Sequence, residues 1–144
     1  MTTRSSGFSL IELMVVVVII GILSGAGLIT YNGYIAGTKQ NAAESIMQQI
    51  SLAQTEEYSS VGDYYTQAGC SVDEDITFGT LTSQLETALF FGENIIDESL
   101  EYQMCVASTG STFSVVAFNG TCKITLSAQG AWNRGAGDTV CPRE

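Results

Sequence analysis

The chain has 144 residues, a formal net charge of −10 at pH 7, five basic residues and no histidine. This length accommodates one soluble domain with an additional segment and excludes two full domains. The excess of carboxylates disfavours direct binding to nucleic-acid phosphates, because no basic cluster follows the first seven residues.

The N-terminal region joins a short polar segment to a long apolar one. Residues 1–7 are polar and contain one basic residue, Arg4, which favours a cytoplasmic position for this end. Residues 8–31 contain polar side chains only at Ser9, Glu12, Ser24 and Thr30. As a helix these 24 residues are long enough to cross about 30 Å of hydrocarbon, so we predict a transmembrane helix over 8–31.

One carboxylate, Glu12, interrupts the apolar segment. A charged side chain within a membrane helix costs about 2.5–3.5 kcal/mol on insertion, so its presence indicates a function. Two plainer explanations stay open: Glu12 reaches toward the interface in an ordinary anchor, or it pairs with an amine at Phe8, one turn earlier. A secretory signal is cleaved after its apolar region, whereas here the small residue Gly7 precedes that region. Cleavage after Gly7 would leave the helix on the mature chain with a free Phe8 amine.

The junction and the residues after it resemble a known family. Gly7 followed by the run Phe8–Met14 (FSLIELM) is similar to the processing site and N-terminal segment of type IV prepilins, a family that includes the pseudopilins of type II secretion. The resemblance is dense over residues 7–35, looser to about residue 65 and architectural beyond that. It implies the pilin fold, an α+β chain in which a long N-terminal helix packs on a small antiparallel sheet.

The resemblance also implies roles for individual residues. A membrane prepilin peptidase would cut between Gly7 and Phe8 and methylate the new Phe8 amine, and a side chain at Gly7 would obstruct the cut. Glu12 would then meet the positive N-terminus of a neighbouring subunit during assembly. Opposite charges attract more strongly in low dielectric, but desolvation offsets part of that gain. We therefore expect the pair to set the register between neighbouring subunits rather than to supply most of the binding energy.

Helical periodicity continues past the apolar segment. Apolar residues recur at three- and four-residue steps within residues 32–60, and Gly62 indicates the end of the helix. The apolar positions are Ile35, Ala42, Ala43, Ile46, Met47, Ile50 and Ala53. We predict the amphipathic half of one long helix here, followed by a globular head over residues 61–144. Unwinding over Gly21–Gly27 stays open, because many bacterial pilins also carry a proline near position 29 and this chain does not.

Residues 61–99 are predicted to form a connecting region. Asp73-Glu74-Asp75 offers the oxygen ligands that calcium prefers, but no ligand series with defined spacing follows, so a solvated turn is favoured. The run Ser83-Gln84-Leu85-Glu86 predicts a capping box before a short helix that ends near Phe90.

The sheet is most evident around Asn119-Gly120, the dipeptide typical of a type I′ turn. A two-residue turn there predicts Phe118 opposite Thr121. One face of the hairpin is then apolar: Phe113, Val115, Ala117, Cys122, Ile124 and Leu126. A preceding strand alternates in the same way, with Leu100, Tyr102, Met104 and Val106 on one side. Such alternation requires one buried side, and we predict that the amphipathic helix covers it.

Four cysteines, Cys70, Cys105, Cys122 and Cys141, follow the apolar segment. An even number in an exported region indicates two disulfides formed in an oxidising compartment, with three pairings open. The absence of CxxC spacing and of histidine disfavours zinc, so we expect no metal. The pilin resemblance favours Cys122–Cys141, which would fasten the C-terminal segment to a strand, and it leaves Cys70–Cys105 as the second pair. The glycine-rich tail over residues 130–141 is predicted to be an irregular loop.

The sequence contains no GxSxG motif, no phosphate-binding loop and no spaced carboxylate pair, so we expect neither an enzyme nor a cofactor. The resemblance implies a structural subunit that leaves the bacterial inner membrane and polymerises into an extracellular pilus for motility, adhesion or DNA uptake. Its partners would be identical subunits in a helical filament, the prepilin peptidase, the inner-membrane assembly machinery and, before assembly, the membrane.

Nucleic acid would be bound only indirectly, since the later basic residues are scattered in the sequence. They are Lys39, Lys123, Arg134 and Arg143, of which folding could gather the last three. Two alternatives stay open: a pseudopilin of a type II secretion system, and a minor pilin that binds DNA or a receptor.

Overall fold

A computed structural model describes residues 7–72, 80–135 and 141. Its helices and strands are α1 Leu10–Val61, α2 Leu81–Leu89, a 3-10 turn Glu98–Leu100, β1 Gln103–Ser108, β2 Phe113–Phe118, β3 Lys123–Ser127 and β4 Trp132–Arg134. The strands form one antiparallel sheet in the order β1-β2-β3-β4. The predicted α+β fold with a long N-terminal helix is confirmed. Residues 1–6 of the predicted leader, the acidic run at 73–75 and residues 136–140 of the tail lie outside the described residues.

The chain divides into two compact units, Met1–Ala36 and Gly37–Glu144, and α1 contributes residues to both. In the first unit the helix begins where the N–H groups of Glu12 and Leu13 donate to the Ser9 carbonyl, at 3.1 and 3.3 Å. Residues Gly21–Gly27 are helical in this structure.

Helix α1 ends in the second unit at the glycine that the sequence indicates. Gly62 has φ +91°, and its N–H donates to the Tyr58 carbonyl at 2.9 Å. A residue without Cβ adopts this left-handed conformation at little cost, which is why glycine commonly ends helices. The predicted stop is confirmed.

The main core of the second unit lies between α1 and one face of the sheet. Ala43, Met47 and Ile50 of α1 are completely buried, at the four- and three-residue steps of one helical face. They belong to one cluster with Cys122, which directly precedes β3, and with the inward residues of the strands: Met104, Val106, Phe113, Val115, Ala117, Ile124 and Leu126. The predicted covering of the sheet by the amphipathic helix is confirmed.

The turn between β2 and β3 differs from the predicted two-residue turn. Phe118 lies opposite Lys123 rather than Thr121, so the register is displaced by two residues. The cause is the Asn119 side chain, whose Oδ1 accepts the N–H groups of Thr121 and Cys122 at 3.1 and 2.7 Å and holds a four-residue loop. Because the displacement is an even number of residues, each side chain keeps its predicted face.

The opposite face of the sheet is partly buried as well, which the sequence analysis did not predict. Cys105 and Val116 are fully buried there and form a second cluster with Leu81 of α2. Helix α2 begins at Leu81, with Thr80 before it and no side-chain cap. The capping box predicted at 83–86 is therefore wrong, because those residues lie inside the helix.

The outer edge of β1 is covered by side chains. Gln67 Oε1 accepts the N–H of Val106 at 3.2 Å, and Gln67 Nε2 donates to the Leu81 carbonyl. Thr82 Oγ1 accepts the N–H of Met104, also at 3.2 Å. These side chains take the hydrogen-bonding positions that a neighbouring strand would otherwise fill.

Candidate assembly site

The N-terminal part of α1 presents apolar side chains in every direction. The segment Leu10–Gly27 has a mean hydropathy of 2.5, and none of its residues is buried. Among the described residues, this is the one helix long and apolar enough to cross a membrane. A helix that is apolar all round needs lipid or other apolar surfaces around it, since water leaves its side chains unfavourably solvated.

Glu12 lies in the first turn of this apolar helix. The free N–H groups of a first turn make that end partly positive, which favours a carboxylate there. Both Glu12 and Phe8 are exposed, Phe8 to 76%. Gly7 is still joined to Phe8 here, so the Phe8 nitrogen is a neutral amide and gains a charge only on cleavage. The site thus presents an accessible carboxylate close to the position where cleavage would create an amine.

Glycines in the apolar segment leave open surface on the helix. A Cβ atom placed at Gly21, Gly25 or Gly27 would meet nothing within 4 Å. Packing within this chain therefore does not require glycine at these positions. Glycine on a membrane helix permits close approach of another helix, so these positions form a candidate contact surface.

The C-terminal strand is attached to α1 by a bidentate ion pair that the sequence analysis missed. Arg134 Nε and Nη2 donate to Glu44 Oε1 and Oε2, each at 2.7 Å. Gln40 Nε2 donates to the same carboxylate at 3.2 Å, and the Arg134 guanidinium lies 5.2 Å from the centre of the Trp132 ring. The predicted irregular loop is wrong at Trp132–Arg134, because these residues pair with β3 as strand β4.

The ion pair changes the proton affinity of both partners. Hydrogen bonds from Arg134 lower the pKa of Glu44, against the opposing effect of partial burial. The Glu44 carboxylate in turn raises the pKa of Arg134. Both groups are therefore charged over the whole physiological range.

Two disulfides fix the remaining parts of the head. Cys122 is bonded to Cys141 with Cα atoms 4.9 Å apart, and this bond joins residue 141 to the start of β3. Cys70 is bonded to Cys105 with Cα atoms 5.9 Å apart, and this bond joins the segment after α1 to β1. The first closes a loop that contains β3 and β4, and the second lies beside the Gln67 contact at the edge of β1.

The described basic residues do not form a nucleic-acid-binding strip. Arg134 pairs with Ile124 in the sheet and therefore projects toward α1, whereas Lys123 projects from the opposite face. Lys123 Nζ donates to the Val72 carbonyl at 3.2 Å, and Lys39 Nζ lies 2.8 Å from a Glu101 carboxylate oxygen. Folding therefore separates Lys123 and Arg134 rather than gathering them.

Comparison with known sequences agrees with the chemistry of the N-terminal segment. The family model described as the prokaryotic N-terminal methylation motif matches residues 2–28. Over 79 residues the chain is 37% identical to a fimbrial protein of Neisseria meningitidis serogroup A, a match that covers 53% of this chain and 46% of the relative. The chain is similar to type IV pilins.

Two further relatives of this chain are named as type IV fimbrial or pilin proteins. It is 36% identical over 84 residues to the type IV major fimbrial protein FimA of Dichelobacter nodosus, covering 58% of this chain and 48% of FimA. It is 34% identical over 83 residues to the type IV major pilin protein PilE of Neisseria gonorrhoeae, covering 58% of this chain and 46% of PilE. The chain spans about half the length of the curated relatives it matches. No solved structure matches the chain.

The predicted site residues of this chain fall into two groups. Gly7, Phe8 and Glu12 belong to the exposed first unit, while the four cysteines belong to the second. The missed ion pair joins residues 90 positions apart. Its only sequence signal is the polar pair Gln40 and Glu44, one turn apart on the amphipathic helix.

Proposed function

We propose that this chain is the structural subunit of a type IV pilus, which polymerises through its N-terminal helix into an extracellular filament. The observation that carries the proposal is the apolar segment Leu10–Gly27, which is wholly unburied, is interrupted by one carboxylate and lies within the matched N-terminal methylation motif. The filament would serve motility, adhesion or DNA uptake. The role is structural rather than catalytic.

The exposed helix explains why assembly would follow export. In the inner membrane, lipid covers the apolar side chains of the segment. Once the subunit leaves the bilayer, the apolar helices of other copies are the surface that can replace lipid, and burying each Val, Leu or Ile side chain contributes about 1.5–3 kcal/mol. A head-to-tail contact that does not close on itself produces a helical fibre.

Processing supplies the second half of the assembly site. Cleavage between Gly7 and Phe8 by the prepilin peptidase would create a positive amine on an otherwise apolar helix, and methylation would retain its charge. The Glu12 carboxylate of a neighbouring copy is the partner we assign to that amine. At 4 Å such a pair is worth about 1 kcal/mol in water and about 4 kcal/mol at an effective dielectric constant of 20, before desolvation is subtracted.

The test is electron microscopy of surface filaments from cells that produce the chain, with mass spectrometry of the dominant subunit. We expect long filaments whose main component begins at a methylated Phe8. Short fibres confined to the periplasm would indicate the pseudopilin alternative, and a trace amount of the chain in filaments of another subunit would indicate a minor pilin. Secreted monomers without the apolar helix would contradict the proposal.

A further inference from the structure

Phe91 is an exposed apolar residue with an unfavourable backbone conformation. It lies in the turn after α2, which ends at Leu89, and its side chain is 98% exposed. Its φ is +55°, in the left-handed region that residues with a side chain rarely adopt. The N–H groups of Phe90 and Gly92 both donate to the Glu86 carbonyl, at 2.9 and 3.0 Å, and hold the turn on either side. The turn therefore does not need a phenyl ring, and glycine would cost less at this position.

The side chains around Phe91 form an open groove that lies wholly within the second unit. Its volume is about 560 Å³, within the range of about 300–1,000 Å³ that is typical of ligand sites. One wall is a single face of α1 and includes Leu52, Ala53 and Glu56. The other wall is the end of α2 with the turn after it and includes Phe90, Phe91 and Glu93. Leu52 is 71% exposed, so both walls present apolar surface to water.

The two carboxylates of this groove have no basic partner within the described part of the chain. Glu56 and Glu93 are both exposed, and neither forms an ion pair with a described residue. The carboxylates of Glu44 and Glu101, by contrast, each already bind a basic side chain. Two unpaired carboxylates on a chain of net charge −10 make the groove a negative site, which attracts cations and repels another acidic surface.

We propose that this groove binds a basic segment of another protein, in which a lysine or arginine lies beside apolar side chains. The apolar side chains of the segment would cover Leu52 and the other apolar parts of the walls. Its positive group would meet the Phe91 ring and the carboxylates, because a cation is attracted to an aromatic face and binds carboxylates by charge-assisted hydrogen bonds. The exposed, strained Phe91 then has a role in recognition. All the residues involved belong to the second unit, so the proposal is independent of filament assembly.

The chemistry of the occupant is tested with three labelled tetrapeptides, capped at both ends. The probe has two leucines between two lysines; one control replaces the leucines by serines, and the other replaces the lysines by glutamates. Fluorescence anisotropy measures their binding to the full chain in an uncharged detergent, with the signal of micelles alone subtracted. We expect the probe to bind at least about fivefold more tightly than either control, because each control lacks one half of the proposed recognition. Equal binding of the probe and the serine peptide would show only general attraction to an acidic chain and would overturn the proposal.

Matched variants show whether the probe binds in the groove. Glu56→Gln combined with Glu93→Gln should weaken probe binding about fivefold or more and reduce its dependence on salt, since the paired charges are lost. Glu57→Gln combined with Glu98→Gln removes the same amount of charge outside the groove and should change the affinity by less than about twofold. Equal weakening by the two double variants would place the probe elsewhere on the chain and refute the proposal.

A variant of Phe91 separates recognition from folding. Phe91→Gly should leave the melting temperature of the full chain in detergent unchanged or raised, because it relieves the left-handed backbone. The same variant should bind the probe about tenfold more weakly, since both the apolar contact and the aromatic face are lost. Phe91→Tyr keeps an aromatic face and should retain binding. Unchanged binding by Phe91→Gly would contradict the proposal. A lowered melting temperature would show that the ring serves the fold and would overturn the role assigned to it.

Discussion

Arg134 on β4 and Glu44 on α1 form two parallel hydrogen bonds of 2.7 Å across 90 positions of sequence. This fork holds the last described strand against the helix. The pair is partly buried, with side-chain exposures of 28% and 16%. It therefore stabilises the head more than a fully exposed surface pair would.

Replacing the carboxylate tests that contribution. Glu44→Gln keeps the shape of the side chain but leaves the Arg134 guanidinium without its counter-ion. We expect a loss of about 1–2 kcal/mol in the free energy of unfolding, measured by urea denaturation of the full chain in detergent. Glu56→Gln, at an exposed position of the same helix, is the control and should change little. Equal stability of Glu44→Gln and the wild type would show that the pair contributes nothing.

The lowered pKa of Glu44 predicts a loss of stability in acid. Its pKa in the folded chain lies below the ordinary value of 4.5, because Arg134 binds the ionised form. The stabilisation is therefore fully present above about pH 4.5 and disappears as the pH falls through the folded pKa. Melting temperatures measured from pH 7 down to about pH 2.5 should fall less steeply below pH 4.5 in Glu44→Gln than in the wild type. Parallel curves for the two chains would contradict the linkage.

Glu12 should be needed for assembly but not for insertion. Glu12→Ala removes the partner that we assign to the Phe8 amine and makes the helix more apolar, so membrane levels should be unchanged. Filament yield should fall by about tenfold or more, which corresponds to about 1.4 kcal/mol per contact. Immunoblots of membranes and electron microscopy of filaments measure the two quantities. Ser24→Ala, which removes another polar side chain from the same segment, is the control. Normal filament yield from Glu12→Ala would count against the proposed role of Glu12 in assembly.

A bulky residue at position 7 should block processing. A Cβ atom at Gly7 would meet nothing within 4 Å in the chain, so Gly7→Val should not disturb its fold. The valine side chain would obstruct access of the peptidase to the bond between residues 7 and 8, so the first seven residues should remain attached. Intact-mass spectrometry of the membrane form shows directly whether residues 1–7 are still present, and Ser6→Ala is the control. A mature mass from Gly7→Val equal to that of the wild type would refute the predicted junction.

Local patterns in the sequence were sufficient to predict the helical part of the fold. The apolar segment, the three- and four-residue spacing of Ala43, Met47 and Ile50, and the stop at Gly62 each depend on residues close in sequence. The apolar face of the sheet was predicted for the same reason. These features follow from the periods of helix and strand, which the chain encodes locally.

Side-chain and long-range interactions explain the errors. The hairpin register was wrong because the Asn119 carbonyl oxygen binds two N–H groups of the turn, which a dipeptide rule does not include. Strand β4 was missed because its surroundings are rich in glycine, and it exists through pairing with β3. The attachment of Arg134 to Glu44 depends on the complete fold, since no local pattern relates residues 90 positions apart.

The covered edge of β1 has a consequence for heads crowded at high local concentration. Gln67 and Thr82 occupy one border of the sheet, and the other border ends in β4, only three residues long. Short or covered borders resist the backbone pairing that leads to amyloid. Neighbouring heads can therefore touch without merging into a continuous cross-β ribbon.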